Sequence, residues 1–253
     1  MATTPNDALE NDGYVSQFDA TRWTLVLRAR GTDSIEAQEA LGILYKSYWY
    51  PLYFYARRRG LSKEDAEDRT QGFFERLIEK RYLDDVSAEK GRFRAFILHA
   101  FKYFMAEDWK RANAEKRGGG VAFVPIPMDD ADIRFSNEQV SSGGPEIGFD
   151  KSWAHALLDQ ARARLKEEKA AEGKSSYYEA LLAYLPTGQS NGQSLGYSVL
   201  AVQLGLSEEG ARTVVHRFRK RYAQIVRNEV ANTLANPAEV EDELSYLIRV
   251  LES

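Results

Sequence analysis

Apolar residues recur at three- and four-residue intervals along most of this chain, and no comparable stretch alternates with period two. A period near 3.6 buries one face of a helix, whereas a half-buried strand needs period two. An all-α fold is therefore expected. The pattern predicts helices over Thr21 to Arg30, Ser34 to Arg59, Ser62 to Lys80 and Gly91 to Arg117. It resumes over Ser152 to Glu172, Tyr177 to Leu185 and Leu195 to Ala235. Ser62 is placed to cap the helix KEDAEDRTQGFFERLIEK, whose first turn is acidic, as the positive end of a helix dipole favours.

The periodicity breaks at Gly118-Gly119-Gly120, and the stretch to Asp150 holds PIP, DDAD and SSGGP with few periodic apolar positions. VAFVPIP suits a short extended piece; the remainder reads as linker. The expected organisation is two small helical domains joined by a flexible linker, the C-terminal one a helix-turn-helix. Its boundaries are a disordered tail at 1–17, a first domain at 18–117, a linker at 118–151, a second domain at 152–235 and an acidic amphipathic helix at 236–253.

Charge is distributed unevenly. The 253-residue chain carries a net charge of −4. From Gly210 to Arg227, however, stand Arg212, Arg217, Arg219, Lys220, Arg221 and Arg227 with no acid. From Asn228 to Ser253 the acids are Glu229, Glu239, Glu241, Asp242, Glu243 and Glu252 against Arg249 alone. A weak overall charge thus hides patches of opposite sign, and patches steer binding.

The basic patch follows a turn. In LGLSEEGARTVVHRFRKRY, Val199 to Leu204 is a short helix, Ala201 permits close helix approach and Gly205 suits a tight turn. Leu206 fills the angle, and Ser207 caps a second helix that opens with Glu208 and Glu209. This is the order of a helix-turn-helix. Ala211, Val214, Val215, Phe218, Tyr222 and Ile225 share an inward stripe. Glu209, Arg212, Thr213, His216 and Lys220 share the opposite face, with Arg217 at its edge. Such a face suits a major groove, with Arg and Lys to guanine edges and phosphates and Thr to a base edge or methyl. A solvated amphipathic helix would carry the same charge run.

Two further segments carry candidate contacts. GRFRAFILHAFKYFMAEDWKRANAEKR (Gly91 to Arg117) has Arg92, Arg94, Lys102, Lys110, Arg111, Lys116 and Arg117 against Glu107, Asp108 and Glu115. Phe93, Phe96, Phe101 and Phe104 read as core, while Tyr103 and Trp109 suit either core or the stacking of unpaired bases. On DAEDRTQGFFERLIE, Ala66, Phe73 and Leu77 face inward, and Phe74 is a further candidate for that face. Asp65, Asp68, Gln71, Gly72 and Glu75 form a polar strip that suits solvent or a basic partner protein. In the tail, Val240, Leu244, Leu247, Ile248 and Leu251 form an apolar stripe after Asn236-Pro237. That helix either docks on the basic face and restrains DNA binding, binds a further partner of the protein, or packs on its own domain.

These segments, in this order, resemble the extracytoplasmic-function (ECF) type of bacterial RNA polymerase sigma factor, of the sigma-70 family. DAEDRTQGFFERL is similar to the family's core-binding helix, FRAFILHAFKYFMAEDWKR to its −10 helices and LGLSEEGARTVVHRFRKRY to its −35 helix-turn-helix. YWYPLYFYARRRG, RGGG and ANPAEVEDEL resemble a long-linker subgroup. The resemblance implies that Asp65, Asp68, Gln71, Gly72, Phe74 and Glu75 bind the coiled coil of the polymerase core's largest subunit. It implies that Arg92, Arg94, Lys102, Tyr103, Trp109, Lys110 and Arg111 hold the opened −10 element. It gives Ser207, Arg212, Thr213, His216, Arg217 and Lys220 to promoter DNA at −35. Regulation by an anti-sigma factor or a kinase is compatible with it. Arg69 replaces a usual apolar residue, Gly72 a usual Glu, Tyr103 a common Asn and Ala211 a usual β-branched residue.

Other classes find less support. A stand-alone DNA-binding regulator would need the rear module but has no use for the Asp68–Gln71 helix. An enzyme would need a site: Asp129, Asp130 and Asp132 lie in the linker stretch, and His99, His155 and His216 are not spaced for a metal or a triad. The absence of cysteine removes disulfides, thiolate zinc and cysteine nucleophiles and suits a cytoplasmic protein. No cofactor or metal is expected. MATTPNDALENDGY has neither the basic nor the apolar region of a secretory signal, and no apolar run reaches the ~20 residues that span a bilayer.

Overall fold

The computed structural model describes residues 34–79, 92–112, 131, 134–135, 144–186, 196–234 and 236–252. Among these, every regular element is helical and no strand occurs. The α-helices are α1 (Ile35–Arg58), α2 (Lys63–Glu79), α3 (Phe93–Ala112), α4 (Gly144–Ala171), α5 (Ser175–Leu181), α6 (Tyr197–Leu204), α7 (Glu208–Ala231) and α8 (Val240–Glu252). Short 3₁₀ turns at Leu182–Tyr184 and Pro237–Glu239 follow α5 and precede α8. None of these helices is long and apolar enough to cross a membrane. The expected 1–17 tail, the Thr21 to Arg30 helix, Gly118-Gly119-Gly120, VAFVPIP and the Asp129, Asp130 and Asp132 cluster lie outside the described residues.

Helix α1 is the centre of the first core. Ser34 caps it by accepting the Ala37 N–H at 3.1 Å, and every residue from Ser47 to Ala56 is buried. A helix apolar on all sides must be surrounded. Phe73, Phe74 and Leu77 of α2, Phe93, Ile97 and Phe101 of α3, and Phe149, Trp153 and Leu157 of α4 do so. The connection from α1 to α2 is tight. Gly60 takes φ +91°, a conformation that costs glycine least. Ser62 Oγ then accepts the Asp65 N–H at 3.0 Å and donates to the Asp65 carboxylate at 2.9 Å. This reciprocal cap starts α2.

A second core gathers Ala161 and Leu165 of α4 with Tyr178 and Leu181 of α5, Leu200 and Ala201 of α6, and Ala211, Val215, Phe218, Tyr222 and Ile225 of α7. The inward stripe read from α7 is thus the buried one. One helix serves both cores: α4 runs 28 residues without a break, roughly 42 Å at 1.5 Å per residue.

The linker was expected to extend to residue 151, but α4 begins at Gly144. Its first turns already pack on α1, with Phe149 fully buried. Pro145 is tolerated there because a first-turn N–H has no intrahelical acceptor. Gly148 is a packing residue: a Cβ on it would lie 2.5 Å from the Phe54 ring. A glycine that reads as loop punctuation is required here for the approach of two helices. The boundary expected at residue 235 is also crossed, since Val230 and Leu234 join Val240 and Leu247 in the first core.

Candidate nucleic-acid interface

The turn before α7 is built by backbone geometry. Gly205 has φ +64° and ψ +35°, the Leu206 N–H reaches the Ala201 carbonyl at 2.8 Å and the Gly205 N–H reaches Val202 at 3.3 Å. These paired bonds close α6 as a Schellman motif. Two residues later Ser207 Oγ accepts the Gly210 N–H at 3.1 Å and α7 begins. Ser207 is therefore a helix cap by geometry, whatever else it touches. Leu206 is half-buried beneath the angle.

Arg212, Thr213, His216, Arg217 and Lys220 are all exposed and share one side of α7. Arg212 pairs with Glu208 at 2.6 Å and lies 5.0 Å over the Tyr197 ring, which links it to α6. The hydrogen bond that Arg212 donates to the Glu208 carboxylate, together with that group's charge, raises the Arg212 pKa. Thr213 donates to its own helix, at the Glu209 carbonyl 3.0 Å away. The other bases of α7 point elsewhere. Arg219 donates to the Tyr184 carbonyl at 2.6 Å, Arg221 grips Glu168 in a fork at 2.7 and 2.8 Å, and Arg227 pairs with Glu241 of α8. The structure thus divides the six bases into a face and a set of internal ties, a distinction that the charge count alone does not make.

The strip on α2 is partly as expected. Asp65 and Asp68 are exposed, and Gln71, Gly72 and Glu75 are half-buried, with Gln71 donating to Glu75 at 3.1 Å. Phe74 is not on it. It is 3 % exposed and packs on Tyr45 at 4.8 Å and Phe73 at 5.6 Å between ring centres, because α1 fills that side of α2 with aromatic rings. An assignment of Phe74 to a protein contact is corrected to a core role. Asp65, for its part, completes the cap at Ser62.

The basic residues of α3 do not form one open surface. Arg94 is buried: its guanidinium lies 2.6 Å from Asp150 and 2.8 Å from Glu243, between the rings of Trp153 at 5.1 Å and Tyr246 at 5.0 Å. Arg92, half-exposed, is 2.8 Å from the other Glu243 oxygen. Tyr246 donates to Asp150, and burial together with that bond raises its pKa. The expectation that Arg94 meets DNA is corrected for this conformation: the carboxylates of α4 and α8 occupy it. Lys102 pairs with Glu146 at 2.7 Å beside Tyr55, along a groove of ≈ 660 Å³ also lined by Arg59, Leu61 and Met105. The shared bond raises the Lys102 pKa and lowers that of Glu146. Tyr103 is 59 % exposed. Phe93 and Phe101 are core, with Phe96 and Phe104 packed against them. Trp109, Lys110 and Arg111 fall in the last turns of α3, and their side chains lie outside the described residues.

Sequence reasoning passed over Glu243, Asp150 and Glu146, the partners of these bases. Glu243 left a signal. It stands three residues after Val240 and four before Leu247, at an apolar position of the stripe, and it is 1 % exposed. Ile248, assigned to that stripe, is 55 % exposed; the buried positions are Val240, Glu243, Leu247 and Val250.

Among the described residues no cluster of His, Asp or Glu is arranged to hold a metal ion. Comparison of the chain with family models, characterised proteins and solved structures returns no match.

Proposed function

We propose that this protein is a sigma factor: it binds RNA polymerase core and directs promoter recognition and transcription initiation. The observation that carries this reading is the capped helix α7, which follows a left-handed glycine turn and exposes Arg212, Thr213, His216, Arg217 and Lys220 on one side. A helix entered through such a turn projects side chains into a major groove, where bases find phosphates and guanine edges. α6 and α7 form the helix-turn-helix that docks on −35 DNA, and the exposed residues of α3 take the opened −10 strand. The strip of Asp68, Gln71 and Glu75 on α2 meets a basic surface of the polymerase, the coiled coil of its largest subunit. The polymerase performs the phosphoryl transfer, so no catalytic residue, metal or cofactor is assigned to this chain. It acts in the cytoplasm, under an anti-sigma factor or a kinase.

The roles separate by mutation. Asp68→Ala with Gln71→Ala is expected to weaken co-elution with core polymerase and leave duplex DNA binding by α7 unchanged. Arg212→Ala with Lys220→Ala is expected to weaken binding to −35 DNA and leave co-elution intact. Identical effects of the two pairs would refute this division of labour. Tight duplex binding by a chain that never associates with polymerase would favour a stand-alone helix-turn-helix regulator.

A further inference from the structure

Helix α8 packs on α4 and α7 through an apolar stripe, with Val240 and Leu247 buried in the first core, and meets the start of α3 through a charge cluster. Glu243 is the one acid of α8 among the buried residues, and its two oxygens face Arg92, just before α3, and Arg94 of α3, each at 2.8 Å. Around it Val240 and Leu247 reach the first core, Tyr246 covers the Arg94 guanidinium, and Glu241 pairs with Arg227 of α7. Each charge of the cluster has an opposite charge within 2.6–2.8 Å, yet Arg94 Nε has no hydrogen-bond partner. Removing ions from water without satisfying all their hydrogen bonds gives little net stabilisation. Such a contact specifies where a helix sits yet yields to a competitor that offers the arginines better-aligned oxygens. A phosphate does so. Among the described residues, α7 ends at Ala231 and α8 begins at Val240 after a 3₁₀ turn, Pro237–Glu239, where Asn236 accepts the Ala238 N–H at 3.1 Å. α8 can therefore leave without breaking the backbone bonds of α7, at the loss of its Val240, Leu247 and Glu241 contacts.

We propose that α8 is a displaceable cover over the basic side of α3, and that α8 and single-stranded nucleic acid exclude each other there. In the closed state Glu243 occupies the position of a backbone phosphate against Arg92 and Arg94. Opening takes from Arg92 its acidic partner among the described residues, while Arg94 keeps Asp150 and the Trp153 ring. This inference rests on the reading of α3 as a nucleic-acid surface and adds that the free protein holds that surface shut.

The test uses the full chain and a fluorescein-labelled single-stranded DNA oligonucleotide, followed by anisotropy. Glu243→Gln keeps the shape of the side chain and removes its charge. Glu252→Gln makes the same change in net charge at an exposed position of α8. If the closed form outnumbers the open by about nine to one, its release tightens apparent binding about tenfold. Glu243→Gln is expected to do this, and Glu252→Gln to change affinity less than about twofold, the size of a screened surface charge. A second measurement needs no variant: saturating oligonucleotide is expected to speed amide hydrogen exchange in α8 about tenfold and leave α1 unchanged. Equal gains from both substitutions, or unaltered exchange in α8 on the bound protein, would overturn the cover and leave the nucleic-acid reading standing. Failure of every form to bind the oligonucleotide, with or without core polymerase, would overturn both.

Discussion

The sorting of α7's bases makes a prediction that charge alone does not. Arg217 and Lys220 are exposed on the proposed groove face, whereas Arg219 is tied to the Tyr184 carbonyl. Each phosphate contact removed lowers the slope of log K against log salt by about 0.9 on duplex DNA. Arg217→Ala with Lys220→Ala should therefore reduce it by about 1.8. Over a fourfold rise in salt, wild-type affinity should then fall about twelvefold more than that of the double variant. The stability of that variant should stay within about 0.5 kcal/mol of wild type, as for surface changes away from packing. Arg219→Ala should behave in the opposite way. Losing a charged donor to a largely buried carbonyl costs about 1–2 kcal/mol and lowers Tm, with the salt slope unchanged. Anisotropy titrations on a promoter duplex at several salt concentrations, beside thermal melts, read both quantities. If Arg219→Ala flattened the slope as much as the pair, or the pair left it intact, the face would be misassigned.

Three other changes probe the fold. Gly148→Ala places a methyl 2.5 Å from a Phe54 ring already hemmed by Phe135 at 5.4 Å, so overpacking should cost about 1–3 kcal/mol in denaturation; an unchanged Tm would contradict the close approach of α4 to α1. Ser207→Ala should lose about 1 kcal/mol with its cap, while Ser207→Asp keeps the stability and weakens DNA binding, a split visible by melting and anisotropy together. Burial pushes Tyr45 and Tyr222 up to about 12. The unfolded chain ionises near pH 10 and the folded chain does not, so the stability is full below pH 10 and is lost as pH rises towards 12. Tyr45→Phe or Tyr222→Phe should flatten alkaline denaturation curves accordingly.

Much of this architecture is legible in the sequence because local signals agree with the packing. α2 has its reciprocal cap, α7 has a glycine turn, a serine cap and a clean stripe, and both form where expected. The start of α4 was hidden because Gly144, Pro145 and Gly148 have the composition of a loop, and only the neighbouring Phe54 ring explains a glycine at 148. The pairing of α3's arginines was hidden for another reason. Contacts such as Arg94 with Asp150 and Glu243 join residues far apart in the chain, and no periodicity within one helix specifies them. A buried acid on an apolar stripe is the local trace that such a pairing leaves.

In vitro transcription tests the central claim most directly. Core polymerase and genomic promoter fragments are incubated with and without this protein, and the transcripts are mapped. The account predicts start-specific transcripts only when the protein is present, lost with Asp68→Ala and Gln71→Ala. An absence of transcripts, from a chain that binds duplex DNA without polymerase, would contradict it.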